Sequence, residues 1–236
     1  MSFPDDRSLR MAMGGAAAGL AYWGPGLAAN VAPVRRALGI ASQTRDGRGV
    51  ALTFDDGPHR EGTPAMLEVL ERRGVSATFF LVGEQIERQP TLPARIVAAG
   101  HQVGLHCHRH RNLLRLGPRA VFSDLARATA LIEDSCARRP VLYRPPYGVF
   151  NLAALTWAHR YGMRPLLWTQ WGRDWERRAT AASITRRLTD DVAEGAVLLL
   201  HDADDYSTPG SWRRTLAALP VVVDELERRR LPVVAA

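Results

Sequence analysis

With 236 residues, 46% of them apolar, the chain can bury a substantial core as one large domain or two small ones. Its net charge of +7 is carried by Arg alone, for no Lys occurs, and the Arg residues are scattered in pairs such as Arg72-Arg73 and Arg186-Arg187. A scattered charge of this kind makes no stripe for a phosphate backbone, so no nucleic-acid partner is expected. The two cysteines, Cys107 and Cys136, make neither a disulfide framework nor a Cys-x-x-Cys zinc knuckle.

Residues 1–49 form a small-residue-rich segment distinct from the regular pattern of 50–236. Its stretch 11–34 carries no charge and is long enough to span a bilayer, but Pro25, Pro33, Asn30 and repeated Gly weaken a spanning helix. It reads equally as a membrane anchor or as a helical hairpin on the domain surface. Insertion would make the protein envelope-associated or exported, and otherwise it is cytoplasmic. From Val50 the pattern becomes regular. Val50-Ala51-Leu52-Thr53-Phe54 is a buried strand, and Asp55-Asp56-Gly57-Pro58 forces a turn at its carboxyl end. Thr63 as N-cap with Pro64 at N1 opens a helix over 63–73, stopped by Gly74. Strand 77–82, helix 93–99, strand 102–105 and a long amphipathic helix over 118–137 follow. Strand 141–143, helix 152–161, strand 165–168, helix 181–192, strand 196–200, helix 212–229 and an apolar end over 231–234 complete the chain. Alternating strands and helices with short connections predict an α/β fold with a parallel sheet, and unbroken apolar strands such as 197–200 predict burial on both faces. No Gly-x-Gly-x-x-Gly and no P-loop follow the first strand, which disfavours a nucleotide site.

The unusual polar residues all fall at carboxyl ends of strands: Asp55 and Asp56, then His106 and His110, then Arg144, then His201 and Asp202. In α/β barrels this is the face that carries active sites. Adjacent carboxylates in an apolar segment are costly to bury unless a cation stands beside them. Two imidazoles four residues apart with Asp56 make a three-ligand site that leaves positions open for water and substrate, the catalytic rather than the structural pattern. His108, between them, is expected to face elsewhere, and Cys107 is not expected to ligate. Trp168 ends an apolar strand and is expected in the core, whereas Trp171 and Trp175 present aromatic planes suited to the apolar faces of sugar rings.

These residues resemble the polysaccharide deacetylases, the NodB-homology or carbohydrate esterase family 4 enzymes, from about Val50 to the end of the chain. Thr53-Phe54-Asp55-Asp56-Gly57-Pro58, His106-Cys107-His108-Arg109-His110, Arg144-Pro145-Pro146-Tyr147-Gly148 and Leu199-Leu200-His201-Asp202 stand in the family's order. The resemblance implies a distorted (β/α) barrel, seven-stranded, and a divalent metal on Asp56, His106 and His110: Zn2+, or Co2+, Ni2+ or Mn2+. It implies Asp55 as catalytic base, Arg144 as its partner, His201 as acid, and Asp174 in support. It also implies the backbone N–H of Tyr147 at the oxyanion, and a substrate groove of Tyr147, Pro146, Trp171, Trp175 and Leu199. One motif departs: the family reads Asp-x-x-Asp-Trp, and Trp171 stands in place of the first Asp, to which the resemblance assigns the tuning of the histidine acid. Asp174, Asp202, Asp204 and Asp205 remain as its replacements. The expected activity is removal of N-acetyl groups from an amino-sugar glycan. The alternatives are O-deacetylation or deformylation of a lipid-linked sugar on the same site, and a glycan-binding relative that has lost turnover.

Overall fold

Among the described residues seven parallel strands form one sheet curled into a half-barrel, as expected, and a short eighth strand pairs with the first of them. The structure, a computed structural model, describes residue 19, residues 22–26 and residues 31–236. Most of the uncharged stretch 11–34 lies outside them. Among the described residues no helix is long and apolar enough to cross a membrane. Residues 22–26 are helical and are tied to the barrel by side chains: Tyr22 Oη donates to the Leu116 carbonyl, and Trp23 Nε1 donates to that of Leu114.

The strands are β1 (Val50–Asp55), β2 (Thr78–Val82), β3 (Gln102–Cys107), β4 (Leu142–Tyr143), β5 (Arg164–Pro165), β6 (Gln170–Trp171), β7 (Val197–His201) and β8 (Val233–Val234), in the sheet order β5-β4-β3-β2-β1-β7-β6 with β8 paired to β1. The helices are α1 (Ala32–Ala37), α2 (Gly62–Arg73), α3 (Gly83–Arg88), α4 (Leu92–Ala98), α5 (Pro118–Cys136), α6 (Leu152–Arg160), α7 (Ala181–Thr189) and α8 (Ser211–Arg228). Helix α3 and strand β6 have no counterpart in the sequence reading. Both are short, and β6 follows an apolar run that reads as one strand over 165–168 but pairs with β4 only at Arg164–Pro165 and then bridges Ala41 through Leu166. The expected N-cap also shifts. Thr63 lies inside α2, behind Glu61 as cap, because its hydroxyl is used across the fold: it accepts from the His59 N–H and donates to the Asp202 carboxylate.

Side chains of a strand alternate between faces, and here the alternation sorts chemistry from packing. Val50, Leu52 and Phe54 of β1, Phe79 and Leu81 of β2, Leu105 of β3 and Leu198 and Leu200 of β7 join the large core against the helices. Ala51, Phe80, Leu142, Leu166 and Val197 form a separate small cluster inside the curl. Residues of the same parity as that cluster run up the inner face: Thr53 and Asp55 above Ala51, Leu199 and His201 above Val197, Arg144 above Leu142. Register places Thr53 opposite Leu199 and Asp55 opposite His201. The β2–β3 register steps from Leu81–Leu105 to Val82–Cys107, so His106 is an extra residue, a bulge that re-aims its side chain at the strand end.

The strand residue Gly104 is required by this inner layer. A Cβ built there would stand 2.6 Å from the ring of Phe80, which is fully buried and carries the Arg144 guanidinium 4.1 Å above its centroid. Gly104→Ala is therefore expected to destabilise the fold by about 1–3 kcal/mol through overpacking, with Arg144 displaced. Denaturant unfolding measures the loss, and an unchanged midpoint would refute the assignment.

Candidate active site

The site is built on the ends of β1, β3, β4 and β7. Arg144 has no exposed surface, and its donors are matched one by one. Nη1 donates to Asp55 Oδ1 at 2.7 Å and to Thr53 Oγ1 at 2.8 Å, Nε to the Leu166 carbonyl at 3.0 Å and Nη2 to that of Leu167 at 3.2 Å. Burial disfavours the guanidinium charge, and the adjoining Asp55 carboxylate opposes that penalty.

Asp56 adopts φ 79°, a left-handed conformation rare outside glycine, and this turns its carboxylate away from its neighbour Asp55. Its Oδ1 lies 3.4 Å from His106 Nε2 and 3.3 Å from His110 Nε2, and His201 Nε2 lies 3.9 Å from Oδ2. Burial would raise the Asp56 carboxyl; the neighbouring His106, His110 and His201 imidazoles reverse this and hold it well below the usual carboxylate range. The glycine that follows cannot be replaced cheaply, for a Cβ at Gly57 would stand 2.4 Å from an Asp202 carboxylate oxygen.

These three side chains fit a divalent metal. One donor atom from each of Asp56, His106 and His110 lies within 4.8 Å of the others, and Asp56 Oδ1 is buried with no hydrogen-bond partner among the described residues. His106 Nδ1 lies 2.7 Å from the Arg144 carbonyl, a contact that needs a proton on Nδ1 and so leaves the Nε2 lone pair facing Asp56. A second cluster, His59 with Asp204 and Asp205, is accounted for within the fold. His59 Nδ1 accepts the Gly62 N–H, which makes Nε2 the donor toward Asp204, while Asp204 accepts the Gly210 N–H and Asp205 accepts from Arg88.

His201 is held by Asp174 and by none of the other three carboxylates left open by the sequence. Asp174 Oδ1 lies 2.9 Å from His201 Nδ1, and Oδ2 accepts the His201 backbone N–H and the Thr215 hydroxyl, each at 2.7 Å. Asp202 instead accepts from Thr63, and burial pushes its carboxyl up to about 7. For His201, burial favours the neutral ring, but Asp174 and the charges of Asp56 and Asp55 outweigh it and raise the imidazole to about 10. His201 thus has its own carboxylate, supplied by Asp174, with Trp171 at the other candidate position.

A cavity of about 200 Å³ gathers Asp55, Asp56, His106, His110 and His201, and its wall includes Tyr147, Trp168, Trp171, Trp175 and Leu199. A larger cavity of about 530 Å³, between α2 and α4, holds no such convergence. Trp171 is 43% exposed and stacks on Trp168 at 5.9 Å, with Trp175 5.3 Å away on its other side and edge-on to His201. Trp168, expected in the core, is only partly buried and completes this aromatic wall. Tyr147 is 61% exposed and adopts φ 60°. Pro146 is buried in the turn beneath it and does not line the cavity. Cys107 is buried, and burial raises its thiol well above the ordinary value. His108 faces Gly83 and α3, away from Asp56, as expected.

The curled sheet thus brings a three-donor cluster, an Arg-paired carboxylate and an Asp-paired imidazole to one cavity. Residues 42–166 match the sequence pattern of polysaccharide deacetylase. The chain is 35% identical over 203 residues to a chitooligosaccharide deacetylase of Bradyrhizobium sp. (strain ANU 289), covering 83% of this chain and 91% of that protein. It is 32% identical over 197 residues to the peptidoglycan-N-acetylglucosamine deacetylase PgdA of Listeria monocytogenes; the match covers 81% of this chain but spans only 41% of that relative. Among solved structures, the Bc1960 peptidoglycan N-acetylglucosamine deacetylase superposes with a TM-score of 0.77 at 29% identity, over 84% of this chain and 90% of that one. The chain belongs to the polysaccharide deacetylase family.

Because its folded value lies above the ordinary one near 6.5, His201 contributes stability that is complete below about pH 6.5 and lost as pH rises through about 10. In metal-free Asp174→Asn this contribution should shrink, and the His201 imidazole should titrate well below its wild-type value. NMR titration of the metal-free proteins measures both, and identical titrations would refute the pairing.

Proposed function

We propose that the chain is a metal-dependent hydrolase removing N-acetyl groups from an amino-sugar glycan. The observation that carries this reading is the placement of an Arg-held carboxylate and an Asp-held imidazole in one cavity with a three-donor metal site. Asp56, His106 and His110 would hold the ion; zinc suits the donor set, and Co2+, Ni2+ or Mn2+ is also admitted. The ion, when bound, supplies Lewis acidity to the acyl carbonyl and a lowered pKa to water.

The chain's own residues supply the proton transfers. Arg144 keeps Asp55 oriented through their ion pair, so that Asp55 takes the proton of the attacking water. The Tyr147 N–H, in its left-handed turn at the cavity rim, serves as a donor to the developing oxyanion. Asp174 fixes the His201 ring through Nδ1, which leaves Nε2 facing Asp56 to protonate the departing amine. Acetate and a free amino sugar are released. Leu199 and the Trp168-Trp171-Trp175 wall form the apolar side of the groove, on which a pyranose ring can lie. The relatives named above act, by their names, on peptidoglycan or chitooligosaccharide, and both substrates carry N-acetylated sugars of the kind this groove would admit. The Asp174–His201 pair weighs against a binding module that has lost turnover, since the acid keeps its partner.

Acetate release from chitooligosaccharides and peptidoglycan by zinc-reconstituted protein tests the reading. Asp55→Asn should lower kcat by on the order of 10²–10⁴, and chelation should abolish release reversibly. No release from any N-acetylated glycan by protein with stoichiometric metal would overturn it. Trp171→Ala should raise KM for oligosaccharides several-fold, roughly what the loss of one aromatic stacking contact predicts, with kcat nearly unchanged. Steady-state kinetics on a chain-length series checks this, and equal KM values in both proteins would remove Trp171 from the groove.

A further inference from the structure

The two histidines of the metal site are oriented by different means. His106 is fixed through its Nδ1 on the Arg144 carbonyl. Among the described residues His110 Nδ1 is buried with no hydrogen-bond partner, so no hydrogen bond sets its ring. What touches the His110 ring is aromatic: Tyr206 lies flat against it, centroids 4.5 Å apart and planes 15° from parallel, while Tyr147 meets it edge-on at 4.7 Å and 70°.

Tyr206 is itself anchored. Its hydroxyl donates to the Glu84 carboxylate and accepts from Gln85 Nε2 at 3.1 Å, and Gln85 is almost fully buried. Both anchors stand in the first turn of α3. That turn is locked to the His-x-x-x-His segment: Glu84 N–H donates to the His108 carbonyl at 3.0 Å, and Gly83 packs so closely that a Cβ would stand 2.5 Å from His108 Nδ1. Arg88 of the same helix reaches Asp205 at 3.4 Å. The loop after β7 is thus strapped to α3, and α3 to the loop that carries His110.

We propose that Tyr206 is a positioning residue for the metal site, a flat plate that holds the His110 imidazole in the ligating orientation in place of a hydrogen bond to Nδ1. This rests on the assignment of Asp56, His106 and His110 as the ligands. Removing the plate frees the ring to rotate about its Cβ–Cγ bond, so the metal loses one well-directed donor while the other two stay fixed.

The test titrates metal-free protein with Zn2+ against a chromophoric chelator and records the visible spectrum of the Co2+ form. Tyr206→Ala is expected to weaken Zn2+ binding about tenfold, the lower end for loss of an orienting group around a ligand, and to shift the Co2+ bands. Tyr206→Phe, which keeps the plate but cuts its ties to Glu84 and Gln85, should give a smaller loss in the same direction. If Tyr206→Ala fails to fold, Tyr206→Leu, which fills the space without a flat face, should show the same weakening. Variants that bind Zn2+ as tightly as wild type overturn the role. So does a lowered thermal midpoint of the metal-free variant with an unchanged Co2+ spectrum. Wild-type protein that takes up no metal overturns the ligand assignment itself and this role with it, an outcome distinct from intact binding in every variant.

Discussion

A guanidinium with no exposed surface stands inside the barrel, and the arrangement around it follows from the cost of putting it there. An unpaired buried charge is costly, and breaking a buried pair by removing one partner typically costs about 3–5 kcal/mol. Arg144 avoids that cost only because every surrounding group is shaped to it: Asp55 and Thr53 on β1, the carbonyls of Leu166 and Leu167 beyond β5, and the face of Phe80 below. Phe80 can lie there because Gly104 offers no side chain. The ion pair therefore couples β1, β2, β3, β4 and the 166–167 segment, and in doing so sets Asp55 at the mouth of the cavity.

Two adjacent carboxylates would repel one another if they shared an environment. The chain separates them by backbone geometry. Asp55, in extended strand, points along the inner face toward Arg144, and Asp56, with φ 79°, points to His106, His110 and His201. Each acid thus has its own partner, a guanidinium for Asp55 and the imidazoles for Asp56. Among the described residues five non-glycines have positive φ, and three of them, Asp56, Tyr147 and Arg173, lie at or beside functional groups. Left-handed conformations of this kind cost about 1–3 kcal/mol each, a strain that surrounding packing has to hold in place.

Much of this was legible in the chain itself. The apolar strands with no alternation announced a sheet covered on both faces, and Asp55, Asp56, His106, His110, Arg144 and His201 could be placed at strand ends because each follows the end of an apolar run. The helix and strand boundaries fall within a residue or two of the expected ones where periodicity is long, as in α5 and α8. Short elements were not legible: α3 has six residues and β6 two, too few to show a period. Thr63 looked like a cap because its local pattern fits one, yet a carboxylate 139 positions away uses its hydroxyl. Tyr206 carried no signal beyond being aromatic near a strand end, since its partners lie on α3.

The sequence by itself determined the class of fold, the order of the motifs and the identity of the groups that carry charge and lone pairs, because these depend on residue type and on neighbours a few positions away. Only the tertiary structure decided which carboxylate serves His201, which tautomer His106 adopts, and that Trp168 belongs to the groove wall. The reason is physical: a hydrogen bond or a stacked ring is specified to within a fraction of an ångström, and the groups that meet here come from strands and loops far apart in the chain. Their meeting is set by how the sheet curls, which no local pattern encodes.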